Sequence, residues 1–237
     1  MKKKRELIIA IDGPSGAGKS TLSKLLSRRL GYVNIDTGAM YRCVALAALR
    51  KGIAPADAAK LEHLCRDLEI GFVSDGEENR VILEGEDVSE AIRTPEVSLL
   101  TSRISAVPEV REALVALQRR MGENGGVVLE GRDIGTVVFP HADVKFFLVA
   151  SARERGRRRY LELKEKGLDV DLEQTITEVE ERDRADSERE HAPLVQAEDA
   201  LPVDSTEMTI DEVLDYMVEV VSRCRDESGS AGGKERR

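Results

Sequence analysis

Leu7 to Ile11 is a short continuous apolar run, the pattern of a buried parallel strand, and Leu22, Leu25, Leu26 and Leu30 then recur at helical spacing until Gly31. Tyr32 to Ile35 reads as a second strand, followed by a helix through Tyr41, Val44, Ala45, Ala48 and Leu49. Val127 to Leu129 and Val144 to Val149 read as further strands, and Leu201 to Val203 as a last one that Pro202 assigns to an edge or a strand start. Strands alternating with helices predict an α/β fold in three layers, a central parallel sheet covered on both faces.

The stretch from Glu69 to Arg103 breaks this rhythm. Ile70 to Val73 and Val81 to Leu83 look like two short strands joined by the turn-rich Ser74 to Asn79, so a strand-bearing insertion is expected here. After it, Pro108 suits a first helical position, and Val110, Ala113, Leu114, Leu117 and Met121 form an apolar stripe. Thr209 and Glu212 have capping-box spacing ahead of Val213, Met217, Val220, Val221 and Cys224. These patterns divide the chain into a core over residues 1–66 and 124–225, an insertion with its following helix over 67–123, and a polar, disordered tail over 226–237.

The totals narrow the field. At 237 residues, with 41% hydrophobic and 34% charged, the chain has the composition of a soluble globular protein and lacks an apolar run near the ~18 residues of a membrane span. Lys2 to Arg5 resemble the basic start of a signal peptide, but the apolar stretch before Asp12 is too short for one. Cys43, Cys65 and Cys224 have neither disulfide-framework nor metal-ligand spacing, which fits a reducing cytoplasm. A net charge of -9 argues against nucleic acid as a partner. Eight arginines nevertheless lie between Arg153 and Arg189, a local concentration that suits phosphorylated small molecules.

Residues 13–20 read GPSGAGKS, which satisfies GxxxxGK[ST] and falls between a predicted strand and a predicted helix, the context the motif requires. Successive backbone N–H groups of such a loop cradle polyphosphate at a helix N-terminus. The ATP candidates are therefore Gly13, Pro14, Ser15, Gly16, Ala17, Gly18, Lys19, Ser20 and Thr21. Lys19 brings a mobile positive charge to the β and γ phosphates, and the Ser20 hydroxyl is the candidate magnesium ligand. The NKxD, TKxD and DxxG sequences of a GTPase switch are missing. Asp36 to Arg42 follow the second strand, where a ligand at the carboxyl edge of the sheet is met, and Arg182, Arg184 and Arg189 lie in a charged stretch suited to closing over it.

With these residues in view, the chain resembles bacterial cytidylate kinases from about Glu6 to Arg223. The resemblance rests on IDGPSGAGKST at the P-loop, DTGAMYR at 36–42, ILEGEDVSEAIRT at 82–94, VREAL at 110–114, EGRDIGTVVFP at 130–140 and ERDRADSERE at 181–190 followed by APL. It implies a core, a monophosphate-binding part enlarged by the insertion, and a mobile helical lid over 180–191. It also implies ATP as donor, Mg2+ as cofactor and CMP or dCMP as acceptor; a cytoplasmic monomer is expected. Thr37 stands where many members carry serine, which keeps a hydroxyl, and Ser20 where some carry glycine.

Phosphoryl transfer needs positioning and charge neutralisation, so the arginines carry most of the expected chemistry. Arg42 and Arg132 each follow a strand end and are assigned to the acceptor phosphate, with Lys19, Arg132 and Arg182 as the catalytic set. Asp133 follows the third strand, where a Walker-B-like magnesium ligand would stand. The resemblance instead sets Asp133 against the cytosine amino group, the favoured role. It also implies that Thr37, Ser102 and Arg111 contribute to acceptor binding, that Arg182 and Asp186 hold the sugar, and that Arg189 lies near the base. Arg155, Arg158 and Arg159 follow the fourth strand on the expected ATP side; sequence does not choose among them, and Arg158 is carried as the candidate. Two other readings stay open: another small-molecule P-loop kinase, of uridylate or shikimate type, and a non-catalytic nucleotide- or RNA-binding module.

Overall fold

The first apolar run forms β1 in a computed structural model that describes residues 6–74, 79–165 and 167–231. In chain order the elements are β1 (Ile8–Asp12), α1 (Lys19–Leu30), β2 (Val33–Asp36), α2 (Thr37–Arg50), α3 (Ala58–Asp67), β3 (Ile70–Ser74), β4 (Asn79–Leu83) and β5 (Glu86–Asp87). There follow α4 (Pro95–Ile104), α5 (Pro108–Gly122), β6 (Val127–Gly131), β7 (Val144–Val149), α6 (Ala152–Glu165), α7 (Leu172–Glu188), β8 (Leu201–Asp204) and α8 (Ile210–Ala231). The chain divides into two units, one built from the residues up to Tyr32 and from Gly125 onward, the other from Val33–Asn124.

The first unit carries a parallel sheet in the order β6-β1-β7-β8. Ile9 lies opposite Val128 on one side and Val144 on the other, and Ile11 opposite Phe146. Ile9, Ile11, Leu26 and Leu148 are fully buried and pack with Leu22, Phe146, Val203, Met217 and Val221, which fastens α1 and α8 to the sheet. Burying each such side chain stabilises the fold by about 1.5–3 kcal/mol. β8 is the edge strand, where Pro202 is tolerated because an edge leaves one row of N–H groups outside the ladder.

In the second unit, β3, β4 and β5 make an antiparallel sheet in which Ile70 lies opposite Leu83. The turn expected between the two strands falls at 75–78, outside the described residues. The insertion is thus strand-bearing as expected, and the unit that holds it, Val33–Asn124, also takes in β2, α2 and α3. The cause is packing: α2 buries Met40, Cys43, Val44 and Ala47 and lies against α4, while α3 lies against α5.

The expected disordered tail also changes. α8 continues to Ala231, past the anticipated limit at 226. Polar contacts extend its hold beyond the apolar stripe: the Arg225 guanidinium donates to the Tyr32 hydroxyl at 2.7 Å, and that hydroxyl accepts from the Leu7 N–H at 3.0 Å. Residues 232–237 lie outside the described ones. Among the described residues no helix is long and apolar enough to cross a membrane.

Candidate functional site

The P-loop leaves β1 at Gly13 and enters α1 at Gly18, and its shape depends on missing side chains. At Gly13, φ is 148° and a Cβ would stand 2.1 Å from the Leu148 carbonyl oxygen; at Gly18, φ is 95°, in the left-handed region. α1 has no side-chain cap, so its first-turn N–H groups remain donors toward the loop. Ser20 and Thr21 are exposed on that turn, whereas Lys19 is buried and its Nζ donates to the Pro14 carbonyl at 2.6 Å. Burial, with Arg132 adding to it, pushes the Lys19 ammonium well below the ordinary lysine range; Glu130 and Asp12 pull the other way, and Arg182 adds a smaller push. Lys19 therefore sits in the combined field of β1, β6 and α7.

Asp12, the last residue of β1, is a site residue that motif reading passes over. Its carboxylate accepts from the Ile134 N–H at 2.8 Å and the Gly135 N–H at 2.7 Å, gripping the π-helical turn Ile134–Val138 that follows Arg132 and Asp133. Burial pushes this carboxyl up to about 6, while the two N–H donors restrain the rise. The signal was present as an acidic residue at the carboxyl end of β1, directly before GPSGAGKS. Its partners lie more than a hundred residues away, where no local spacing reveals them.

Arg132 and Asp133 open the same turn. Arg132 Nε donates to Asp186 Oδ2 at 2.8 Å, and Arg189 Nη2 stands 3.9 Å from Asp133 Oδ1. Arg182 and Asp186 lie four residues apart on α7 and so share a face, while Arg189 caps its C-terminus and donates from Nε to the Ala192 carbonyl. The Leu194 N–H returns to the Asp186 carbonyl at 2.8 Å, tying the residues after α7 back to the helix.

The α6 arginines separate by partner. Arg155 turns inward and donates to Ala150 O at 2.8 Å and Ser15 O at 3.0 Å, with Asp183 Oδ2 at 2.6 Å. Arg158 pairs with Glu154 and donates to the Ser205 carbonyl at 2.6 Å, and the Ser205 hydroxyl lies 3.3 Å from Ala17 O of the P-loop. Arg159 is exposed against Glu162. Beside them, Ser151, Arg153, Glu154, Arg157, Leu172, Ile176 and Thr206 line a cavity of about 260 Å³.

Thr37, Arg42, Ser102 and Arg111 belong to the second unit. Asp36 caps α2 by accepting from the Ala39 N–H at 2.9 Å, which fixes Thr37 as a buried first-turn residue; Arg42 lies half-buried on the next turn. Arg111, on the first turn of α5, is buried with its guanidinium 5.8 Å from the Tyr41 ring centroid. It donates to the Ser105 carbonyl at 3.4 Å, and the Ser105 hydroxyl donates to Ser102 O at 3.2 Å. α2 and the junction of α4 with α5 thus bring Tyr41, Ser102 and Arg111 into one neighbourhood.

The family model for cytidylate kinase matches residues 9–223. Cytidylate kinase from Syntrophotalea carbinolica is 69% identical over 92% of this chain and 93% of its own length. That from Geobacter sulfurreducens is 64% identical over 92% and 94%. Among solved structures, a gluconokinase from Sinorhizobium meliloti superposes with a TM-score of 0.50 at 13% identity, covering 95% of this chain and 97% of its own, a likeness of fold alone. Matched across nearly all of both lengths by the Syntrophotalea and Geobacter proteins, the chain belongs to the cytidylate kinase family.

Proposed function

We propose that the chain transfers the γ-phosphoryl group of ATP to CMP or dCMP, giving ADP and the corresponding diphosphate. An oxygen of the acceptor phosphate forms the new P–O bond as the bond from the γ-phosphorus to the β-phosphate oxygen breaks. The observation that carries this reading is the buried Lys19, held at the P-loop within the field of Arg132 and Arg182. Cations already desolvated and fixed need little reorganisation when charge shifts among phosphate oxygens, and that preorganisation is what phosphoryl transfer requires.

In this reading the P-loop N–H groups and Lys19 bind the β and γ phosphates of ATP, and Arg158 faces the donor. Arg132 and Arg42 bind the acceptor phosphate, Arg182 and Asp186 the sugar, and Thr37, Ser102, Arg111, Arg189 and Asp133 serve the acceptor, with Asp133 accepting from the cytosine amino group. Magnesium fits the donors present. It keeps most of its waters and takes one or two protein oxygens besides phosphate, which an exposed Ser20 hydroxyl beside Lys19 satisfies. When bound it would neutralise charge between the β and γ phosphates.

A coupled assay of ADP release across CMP, dCMP, UMP, AMP and shikimate tests the proposal. Turnover concentrated on CMP and dCMP is expected, and equal or faster turnover of UMP or shikimate would overturn it.

A further inference from the structure

We propose that Arg155 and Asp183 form a positioning clasp that sets α7 relative to the P-loop, and so places Arg182 and Asp186 for the reaction. The role rests on the phosphoryl-transfer reading above.

Arg155 is 5% exposed, a burial that is costly for its guanidinium unless its donors are filled. Its partners come from different elements: Ala150 O after β7, Ser15 O in the P-loop and the Asp183 carboxylate on α7. The P-loop contact is to a backbone carbonyl, so Arg155 responds to the loop's conformation and not to a replaceable side chain. Asp183 follows Arg182, whose charge reaches Lys19, and precedes by three residues Asp186, the partner of Arg132. Because a helix moves as a rigid body, fixing Asp183 fixes both neighbours.

A second contact seats the same helix. A Cβ at Gly156 would lie 2.4 Å from Ile176 Cγ1 and 2.8 Å from Ile176 Cα, so α6 and α7 close to this distance only because residue 156 has no side chain. Ile176 and Asp183 are seven residues apart, about two helical turns, and two such points define the lean of α7. The ion pair is half-screened, with side-chain exposures of 6% and 21%, and a pair of this kind specifies geometry more than it adds stability. Only a guanidinium can bond the loop, the end of the strand and the helix together, because its planar fork aims several donors at once while an ammonium is a point charge. The clasp therefore ties the backbone of the donor loop to the helix that carries residues assigned to the acceptor.

The test compares Arg155→Lys, Asp183→Asn and the double variant, each first checked for an unchanged circular dichroism spectrum. Each single variant is expected to lower kcat on CMP by about tenfold or more with the KM for ATP within about threefold, since placement and not donor binding is lost. The double variant should be about as impaired as the worse single one, the signature of two groups acting as one. Amide hydrogens of α7 should exchange faster in Asp183→Asn while those of β1 do not. Additive losses, unchanged kcat, or unchanged exchange in α7 would overturn the clasp. Failure of the wild-type protein to turn over CMP would instead overturn the functional reading, and the exchange result would still decide the clasp.

Discussion

The Arg132 guanidinium and the Asp186 carboxylate, 54 residues apart in the chain, meet at 2.8 Å with exposures of 19% and 21%. A group assigned to the acceptor phosphate is thus aimed by a group assigned to its sugar. Asp186→Asn keeps the shape and removes the charge that aims Arg132. It should lower kcat/KM for CMP by about tenfold, the scale of one charge-assisted hydrogen bond, with little effect on the KM for ATP. Steady-state kinetics with each substrate varied in turn would measure this, and a loss confined to ATP would contradict it.

Lys19→Met separates activity from stability. Turnover should fall by at least about a hundredfold with the Kd for CMP changed little, because the charge acts where γ-phosphate charge redistributes. The variant should nevertheless melt higher. Burial depresses the lysine pKa in the folded protein, so the unfolded chain binds this proton more tightly, and the penalty is fully present at low pH and fades as pH rises toward the ordinary value of 10.5. The gain in Tm from Lys19→Met should accordingly be larger at pH 6 than at pH 9. Scanning calorimetry at both values would show it, and a lower Tm at pH 6 would count against the burial argument.

Asp12 titrates with the opposite slope. Its folded pKa of about 6 lies above the ordinary 3.8, so the folded state holds the proton more tightly, and the Asp12 contribution to stability rises as pH falls from about 6 to about 4. The Tm of the wild type minus that of Asp12→Asn should therefore increase across this window as pH is lowered. A difference that is flat, or that falls, would place the Asp12 pKa at or below its ordinary value.

Gly13→Ala asks whether the P-loop can accept a methyl group. With φ at 148° and the Leu148 carbonyl oxygen 2.1 Å from the added Cβ, loop or strand must shift, and a loss of roughly 3 kcal/mol or more is expected, in the range of strained backbone substitutions. The urea midpoint should drop while the m-value stays constant. An unchanged midpoint would mean that the loop relaxes freely.

Asp133→Asn tests base reading. A carboxylate only accepts, which suits the cytosine amino group and repels a uracil carbonyl, so the amide should lower CMP turnover and narrow the preference for CMP over UMP. A retained preference with a shifted magnesium dependence would assign Asp133 to the metal instead.

What was legible in the sequence was local. The P-loop, the alternation of β1, α1, β2 and α2, and the Thr209–Glu212 capping box, whose hydroxyl accepts from the Glu212 N–H at 3.3 Å, all lie within a few residues of their own signals. α3 and α4 escaped notice because each buries only two residues, too narrow a stripe to stand out in a short segment. Asp12 was passed over, and Arg155 left unresolved among its neighbours, for a different reason. Their meaning lies in partners at Ile134, Gly135, Ser15 and Asp183, and no periodicity along the chain encodes a meeting between β1 and a turn 122 residues later. Arg155 shows the limit well: among three neighbouring arginines, only the fold distinguishes the buried Arg155 from the half-buried Arg158 and the exposed Arg159.

The bare backbone at Gly156 makes this position a graduated spacer between α6 and α7. Alanine, valine and leucine there would act as shims of increasing thickness between α6 and α7, each propping the second helix further out without touching a charged group. Plotted against shim thickness, the turnover rate becomes a ruler for how far Arg182 can retreat before chemistry stops.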